Sequence, residues 1–373
     1  MAGVRLQDVA EHAGVSMKTV SNVVHAHPNV SAPMRERVQR AIDELGYRPN
    51  AIGRRLATGR TGLIALAFAD VRLPYFSELA NVVSKAAAAT GTGYRVLLEE
   101  TEGTIEGERA VLSASEAGLV DGMLLQPSQM SSREIAERHG DLPMVLLGEG
   151  PAPLSVDRVM IDNVAAATVA TEHLADLGRR RIAFVGHEDA SMSWTSRQRI
   201  VGYQQGLESR GLPVEHDLLI PTGAIASDEA ARAVGAAIDR GIRFDALMCR
   251  DDLAAIGALR ALHERGISIP DDVAVIGWDN IAFDATTFPS LSSVSPNTHE
   301  LARVALEMLA ERIEGYDGIG RHRLVDFELA LRESAPRSLQ ASGATSAATG
   351  AADAGRGPVA ASGPGSLAHP VSA

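Results

Sequence analysis

The chain has 373 residues and 45% of them are hydrophobic, which is enough for two or three domains with cores of their own. Its formal net charge is −12, and its single cysteine excludes an intramolecular disulfide framework and a cysteine-based zinc cluster. No apolar run approaches the roughly 18 residues that cross a bilayer, and the N-terminus lacks a signal-peptide pattern, so we expect a cytoplasmic protein.

The charge is divided unevenly along the chain. Residues 1–60 hold nine Lys and Arg against five Asp and Glu, a net charge of +4, whereas the remaining residues carry −16. A basic N-terminal segment on an acidic body indicates that this segment alone meets a polyanion. Charge by itself is equally compatible with a chance asymmetry.

The first predicted elements are two short helices in LQDVAEHAGVSMKTVSNVV, residues 6–24. Gly14 between them suits a turn with positive φ, and Ser16 is placed to cap the second helix. A third helix begins after Ser31 and stops at Gly46. This unit is typical of a helix-turn-helix, although a helical hairpin without a DNA-binding role gives the same pattern. Its core is predicted to contain Val9, Ala10, Ala13, Val15, Val20 and Val23.

The second helix carries polar side chains where a recognition helix meets the major groove. Lys18 can donate to guanine O6 and N7, and Met17 can pack on a base edge or a thymine methyl. Asn22, about a turn further on, can read adenine, so we expect these three residues to contact bases. Hydroxyl groups suited to DNA backbone contacts come from Ser16, Thr19, Ser21 and Ser31.

The next segment, YRPNAIGRRLATGR at residues 47–60, is basic and marginally helical. Arg54 and Arg55 precede Leu56, a lone apolar side chain with little core to join. Such a residue is typical of a wedge that enters the minor groove while basic residues hold the flanking phosphates, and Asn50 is assigned to the same hinge. The alternative is a linker whose Leu56 packs on the following domain.

From Leu63 onward, short apolar runs alternate with Ala-rich helical stretches. Continuous apolar runs separated by helices indicate parallel strands that are covered on both faces, and the alternation restarts after Asp162 and Asn163. The sequence therefore predicts an α/β body of two doubly wound lobes, with a ligand crevice beyond the carboxyl ends of the strands. The predicted strands are 63–70, 94–101, 121–128, 143–149, 181–188, 245–250 and 273–280.

Residues 335–373 have a different composition. Of these 39 residues, 28 are Ala, Gly, Ser or Pro, and none is aromatic. Because such a segment cannot bury enough apolar surface to order itself, we expect a disordered C-terminal tail. It also lacks apolar heptads, which favours a dimer over a tetramer.

Taken together, several motifs resemble the LacI/GalR (lactose-repressor) family of bacterial regulators over about residues 4–334. They include LQDVAEHAGVSMKTVSNVV, AIGRRLATGRTG, GYQQGL, RDDLAAIGALRALHERGISIPDDVAVIGWDN and FPSLSSV. The resemblance implies a homodimer with two helix-turn-helix heads on a near-palindromic operator, hinge helices that form on DNA, and Leu56 as the minor-groove wedge. One departure is Arg5, where the family usually has a Thr that caps the first helix.

The resemblance and the changes in composition divide the chain into four parts. These are a helix-turn-helix domain at 1–48, a hinge at 49–61, a two-lobed effector-binding and dimerisation domain at 62–334, and a tail at 335–373. Lobe 1 is expected at about 62–161 plus 293–321, and lobe 2 at about 162–292 plus 322–334.

The resemblance also implies a pocket for a small effector between the lobes. Arg199 would donate to paired oxygens of the effector, and Asp279 would accept from a hydroxyl or an amine. The alternatives are that Arg199 forms a salt bridge between the lobes and that Asp251 caps the helix at 252–264. The residues carried over to the pocket are Tyr75, Phe76, Ser193, Thr195, Arg199, Asp251 and Asp279.

Two tryptophans lie near these positions. Trp278 is inside a strand-end motif, where packing in the core is the favoured interpretation. Trp194 lies in a loop, and its interpretation as a ligand contact stays open beside a purely structural one.

Three classes of function fit such a body. A ligand-responsive repressor accounts for the head, whereas a solute-binding protein predicts a signal peptide and no head. An enzyme predicts a phosphate-binding loop or a nucleophile motif, and the sequence has neither. His25 and His27 are too few for a metal site, and we expect no cofactor. We predict a repressor released by a carbohydrate, with a nucleobase co-repressor as the alternative.

Overall fold

The computed structural model describes residues 4–24, 29–47, 60–90, 93–187, 193–223 and 225–337. The N-terminal head contains the helices α1 (Leu6–Ala13), α2 (Met17–Val24) and α3 (Ala32–Leu45). Gly14 and Gly46 end α1 and α3 in the left-handed conformation, at φ values of 60° and 62°. Of the six residues predicted for the core, five are buried and Val15 packs against them half-buried.

The start of α1 differs from the usual cap. An Arg side chain has donors but no acceptor, so Arg5 has no oxygen to offer to the first amides of the helix. The carboxylate of Asp8 instead accepts the backbone N–H of Arg5 at 2.7 Å. This contact keeps one half of a capping box and places a negative charge in the first turn, where the helix dipole favours it.

The body begins at Leu63 and alternates strands with helices. Short segments of tighter or wider helix lie at Ser115–Leu119, His216–Leu218 and Ala282–Thr286. In chain order the strands and α-helices are β1 (Leu63–Phe68), α4 (Pro74–Ala89), β2 (Arg95–Glu100), α5 (Ile105–Ala114), β3 (Gly122–Leu125), α6 (Ser132–Arg138), β4 (Met144–Leu147), β5 (Asp157–Met160), α7 (Asn163–Asp176), β6 (Ile182–His187), α8 (Trp194–Ser209), β7 (Leu219–Pro221), α9 (Ser227–Asp239), β8 (Ala246–Cys249), α10 (Asp252–Glu264), β9 (Ala274–Trp278), β10 (Ser292–Pro296), α11 (Thr298–Ile313), β11 (His322–Leu324) and β12 (Phe327–Ala330).

The strands form two six-stranded sheets, one in each lobe. The first has the order β11-β5-β4-β3-β1-β2 and the second has the order β12-β10-β9-β8-β6-β7. All pairs are parallel except β10 with β12. The predicted fold class, a helical head before a doubly wound two-lobed body, is therefore confirmed, and the central strands β1, β3, β4, β8 and β9 are apolar and largely buried, as continuous runs predicted.

The chain crosses between the lobes at places that differ from the predicted ones. The sequence placed the return to lobe 1 at 293, but β10 pairs with β9 and β12 and so belongs to the second sheet through Pro296. It placed the final return to lobe 2 at 322, but β11 pairs with β5 in the first sheet through Leu324. In both places a short polar strand pairs with its own sheet before the chain leaves the lobe. β11 lies at the edge of the first sheet, and β10 lies beside the edge strand β12 of the second.

The body also extends past the predicted boundary at 334. Ala335 is buried, its N–H donates to Ser292 Oγ at 3.2 Å, and its carbonyl accepts from the same hydroxyl at 3.2 Å. The expectation that the tail begins at 335 is therefore wrong for Ala335, because the last packed residues close over the second sheet. The rest of the predicted tail, from residue 338 onward, lies outside the described residues.

Candidate DNA-binding and effector sites

The N-terminal end of α2 presents polar atoms on the surface of the head. Met17 is 53% exposed, Lys18 and Ser16 are also exposed, and Asn22 is half-buried. Ser16 Oγ accepts the N–H of Thr19 at 3.1 Å, which confirms it as the cap of α2. The expected base contacts Met17 and Lys18 thus lie in the first turn of a short, capped helix.

The other hydroxyl groups assigned to the DNA backbone fall into two situations. Thr19 and Ser21 are half-buried on α2, and Thr19 Oγ1 lies 2.9 Å from Ser16 Oγ. Ser31 is exposed at the start of α3, but its hydroxyl makes no capping hydrogen bond. The hinge residues Asn50, Arg54, Arg55 and Leu56, and the pair His25 and His27, lie outside the described residues.

A cavity of about 810 Å³ opens between the two lobes. It lies beyond the carboxyl ends of strands of both sheets, where doubly wound folds bind ligands. All seven residues predicted for the effector pocket line it: Tyr75, Phe76, Ser193, Thr195, Arg199, Asp251 and Asp279. The structure thus brings together side chains that are more than 200 positions apart in the sequence.

The guanidinium group of Arg199, on α8, contacts residues of the second lobe. Its Nε donates to Asn163 Oδ1 at 2.9 Å, another guanidinium nitrogen donates to the carbonyl oxygen of Arg250, and a third lies 3.9 Å from Asp279 Oδ1. Its Cζ stands 4.0 Å from the centre of the Trp278 ring. Because these partners belong to one lobe, the alternative in which Arg199 bridges the lobes is not supported, and its fixed fork faces the cavity.

Asp279 follows β9 at the edge of the cavity and has an uncommon backbone. Its φ is 106°, a value that L-residues rarely adopt and that strains the chain at this point. Burial raises the pKa of Asp279 to about 8, Arg199 acts in the opposite direction, and Asp251, Asp284 and Glu149 add to the rise. The carboxyl group is thus poised to exchange a proton or a hydrogen bond with a ligand.

Asp251 and Ser193 both line the cavity and also cap a helix. Asp251 Oδ1 accepts the N–H of Ala254 at 2.8 Å and caps α10, as the alternative interpretation predicted. Ser193 Oγ accepts the N–H of Ser196 at 3.2 Å and caps α8. Both caps hold their helix starts at the cavity wall.

The aromatic residues divide between wall, core and rim. Phe76 stacks on Phe68 with ring centres 5.3 Å apart, and Tyr75 meets Phe76 edge-on. Burial raises the pKa of Tyr75, so its hydroxyl stays protonated. Trp278 is buried, which confirms the favoured interpretation, whereas Trp194 is 45% exposed at the rim.

The sequence analysis missed several polar residues of the cavity. Glu149, after β4, accepts from Thr195 Oγ1 of the other lobe at 2.8 Å. Gln126 follows β3 and Thr222 follows β7, so the rule that ligands bind beyond strand ends nominates both. The sequence alone does not predict β7, because its three residues LIP are too few to be recognised as a strand.

One buried carboxylate shapes the cavity without lining it. Glu108, on α5, is buried and accepts the backbone N–H groups of Ser128, Gln129 and Met130 at 2.5, 3.1 and 2.8 Å. Three amides on one carboxylate fix this loop, and Ser128 and Gln129 line the cavity. Nothing in the sequence pattern distinguishes Glu108 from a solvent-facing helix residue.

The described part of the chain holds neither a candidate metal centre nor a candidate membrane span. Within it, no group of three or more His, Cys, Asp or Glu side chains is arranged to hold a metal ion. Nor does any helix there combine the length and the apolar character that crossing a membrane requires.

Two family profiles match the chain, bacterial regulatory proteins of the lacI family at residues 5–50 and a periplasmic binding protein-like domain at residues 171–335. The HTH-type transcriptional repressor PurR of Vibrio atlanticus (strain LGP32) is 32% identical over 315 residues, which cover 84% of this chain and 92% of that relative. The chain belongs to the lacI family of bacterial regulatory proteins.

Solved structures agree with this family membership. A LacI-type transcription regulator from Bifidobacterium animalis subsp. lactis is 33% identical, with a TM-score of 0.68 over 73% of this chain and 99% of that one. The transcriptional regulator CelR in complex with cellobiose is 28% identical, with a TM-score of 0.65 over 89% of this chain and 99% of that one. This lacI-family protein is accordingly a DNA-binding transcriptional regulator, with α2 in the position of the recognition helix.

Proposed function

We propose that this lacI-family protein is a repressor that binds a near-palindromic operator as a homodimer and leaves it when a carbohydrate inducer fills the cavity. The observation that carries the proposal is the combination of an exposed, polar first turn of α2 with an interlobe cavity lined by donors and acceptors. The basic head binds the polyanion, and the acidic body reports on the metabolite.

The carbohydrate is favoured by the chemistry of the cavity wall. Paired oxygens of a sugar match the planar donors of Arg199, and its hydroxyls can donate to the carboxyl groups of Asp279 and Asp251. The related regulator CelR was solved with cellobiose, which supports the same class of effector for this chain.

The two sites are coupled as a linkage of binding free energies. Operator DNA stabilises the arrangement in which the two heads are held side by side, and the inducer stabilises a different arrangement of the lobes. At the C-terminal end of the predicted hinge, the guanidinium of Arg60 donates to the carbonyl oxygen of Ile313 at the end of α11 at 3.1 Å. Because α11 packs on the first sheet, a movement of lobe 1 reaches the hinge through this contact.

Lys18→Ala tests the assignment of the recognition helix. We expect the variant to lose preference at one base pair of each half-site, by about 1–3 kcal/mol, because Lys18 is proposed to donate to a guanine edge. The measurement is selection of binding sequences from randomised DNA, followed by gel-shift titrations with the selected site and its single-base variants.

Arg240→Ala is the matched control, since it removes one exposed positive charge from the body rather than from the head. It should leave the base preference unchanged. A Lys18→Ala variant that weakens all sequences equally would make Lys18 a phosphate contact. If the unaltered protein selects no sequence at all, the proposal of an operator-binding repressor is wrong.

A further inference from the structure

We infer that the effector is an uncharged ligand with several hydroxyl groups, and that the cavity excludes phosphorylated and carboxylated compounds. The inference rests on the proposed function and adds the charge of the ligand and two residues that hold it, Gln126 and Thr222. Three independent features of the cavity lead to it.

The first feature is that the cations of the cavity are already paired. An anionic ligand needs an arginine whose donors are not yet taken, and each arginine that lines the cavity in the described part of the chain already donates to oxygen atoms of the protein. Arg72 donates to Asp70 at 2.7 Å, Arg250 donates to Asp251 at 2.9 Å, and Arg199 donates to Asn163 Oδ1 at 2.9 Å and to the carbonyl oxygen of Arg250.

The second feature is a surplus of carboxylates. Glu102 and Glu149 line the same cavity in addition to Asp70 and Asp251, and Glu149 is hydrogen-bonded to the hydroxyl of Thr195 rather than to a cation. A phosphate or carboxylate group placed among these side chains meets like charges at low dielectric, which is unfavourable. A neutral ligand pays no such penalty and its hydroxyls donate to the carboxylate oxygens.

The third feature is a set of neutral polar atoms without a hydrogen-bond partner among the described residues. Gln126 Oε1 and Thr222 Oγ1 are buried, and both residues line the cavity. Buried polar atoms are paired in nearly all folded proteins, so unpaired ones in a cavity mark positions where a ligand supplies the partner. One acceptor and one hydroxyl match a ligand whose own groups both donate and accept.

Gln126 and Thr222 also stand on different lobes. Gln126 follows β3 of the first sheet and Thr222 follows β7 of the second. A ligand that satisfies both connects the lobes, which is the action that the proposed induction requires. The volume of about 810 Å³ is near the upper end of the range of about 300–1,000 Å³ typical of ligand pockets, so the probes include disaccharides and trisaccharides.

The test compares neutral sugars with their charged counterparts. Isothermal titration of the full chain would use glucose beside glucose 6-phosphate and gluconate, ribose beside ribose 5-phosphate, and cellobiose, maltose, lactose and their trisaccharide homologues beside the corresponding aldonic acids, with hypoxanthine and guanine in the same series. We expect at least one neutral sugar to bind, and its charged counterpart to bind at least about tenfold more weakly, a difference of about 1.4 kcal/mol. Equal or tighter binding of the counterpart, binding of nucleobases alone, or binding of no compound would overturn the inference.

Variants test the residues with the best neutral sugar. Gln126→Ala and Thr222→Val should each weaken its binding at least about fivefold, whereas Gln205→Ala, a change of the same size at an exposed position of α8 outside the cavity, should not. Glu149→Gln removes one negative charge without changing the size of the side chain. It should reduce the difference in binding affinity between the neutral sugar and its charged counterpart. The assignment of these residues to the ligand site would be contradicted if Gln126→Ala and Thr222→Val both bind the sugar with unchanged affinity. It would also be contradicted if Glu149→Gln leaves the affinity difference between the neutral sugar and its charged counterpart unchanged.

Operator binding is measured on the same samples without ligand. Folded variants that still bind the selected DNA show that the head and the repressor function are intact, so a failure of the charge preference then counts against this inference alone. Absence of sequence-specific DNA binding in the unaltered protein counts against the proposed function instead.

Discussion

Asp157 is the most heavily bonded carboxylate of the first lobe. It is buried at the start of β5 and accepts from Arg312 Nε and Nη2 at 3.0 and 2.9 Å and from Arg321 Nη2 at 2.8 Å, with the backbone N–H of Arg321 at 2.7 Å. Burial by itself would raise the pKa of Asp157, but the hydrogen bonds from the two arginines outweigh it and lower the pKa to about 2. The ionised form is therefore the one that the fold stabilises.

Asp157→Asn should lower the free energy of unfolding at neutral pH by about 3 kcal/mol, because it leaves the nearly buried Arg312 without its counter-charge. The pKa of Asp157 is depressed from 3.8 in the unfolded chain, so its contribution is complete above about pH 4 and is lost as the pH falls toward 2. The difference between the two proteins in urea unfolding should accordingly be smaller at about pH 3 than at about pH 7.

Asp239→Asn provides the control for this prediction. Asp239 also accepts two hydrogen bonds from one arginine, Arg265, at 3.0 and 2.7 Å, but its side chain is 65% exposed. Solvent screens such a pair, so the change should cost no more than about 1 kcal/mol. If both variants lose the same free energy of unfolding, burial does not determine how much the Asp157 contacts stabilise the protein.

At the scale of elements, Ser16 and Ser31 occupy equivalent positions before α2 and α3, but only one of them caps its helix. The hydroxyl of Ser16 accepts the N–H of Thr19, whereas that of Ser31 makes no capping bond. Ser16→Ala should therefore destabilise α2 by about 1 kcal/mol and speed hydrogen exchange of its amides in DNA-free protein, while Ser31→Ala should leave exchange in α3 nearly unchanged. A similar effect of both changes would refute the distinction.

The elements that sequence predicted share one physical signature. The seven predicted strands correspond to β1, β2, β3, β4, β6, β8 and β9, most of which are apolar because helices cover the sheet on both faces. β10 is SSVSP and β11 is HRL, and such polar segments become strands only because a neighbouring strand is already present to pair with them. Tertiary pairing of this kind has no local pattern, which is why the lobe crossings were misplaced.

The candidate site was predictable for a related reason. The rule that ligands bind beyond strand ends indicates Gln126 and Asp279. The seven predicted pocket residues came from the family resemblance, and all of them line the cavity. The partners of Arg199 and the loop held by Glu108 were not predictable, since they depend on how α5 and α8 pack.

At the scale of the whole molecule, hydrogen bonds connect the lobes directly. Thr195 donates to Glu149 at 2.8 Å, and the backbone N–H of Ala282 donates to Glu78 of α4 at 2.9 Å. Each bond is weak by itself, at about 1 kcal/mol, so a ligand that also connects the lobes can shift their arrangement. Weak contacts between the lobes therefore suit a protein whose lobes rearrange when a ligand binds.

The proposed homodimer has a physical basis in the edge of the first sheet. β2 is an edge strand, and its Leu97 and Leu98 are 37% and 43% exposed, on opposite faces of the strand. An edge strand with exposed apolar side chains tends to pair or pack with another chain unless a part of its own chain covers it. We therefore expect a second copy of the chain to cover this edge.

Leu98→Lys should shift the protein from dimer to monomer, because the change places an unpaired charge in the proposed interface. Sedimentation velocity over a concentration series should show dimer dissociation at least about tenfold more favourable, a change of about 1.4 kcal/mol, and operator affinity should fall with it, since the two heads would no longer bind as one unit. Leu154→Lys is the control, because Leu154 is 86% exposed outside the strand and should leave the dimer intact. A dimer of unchanged stability in both variants would show that the subunits meet elsewhere, and a monomeric unaltered protein would show that operator binding does not require a preformed pair.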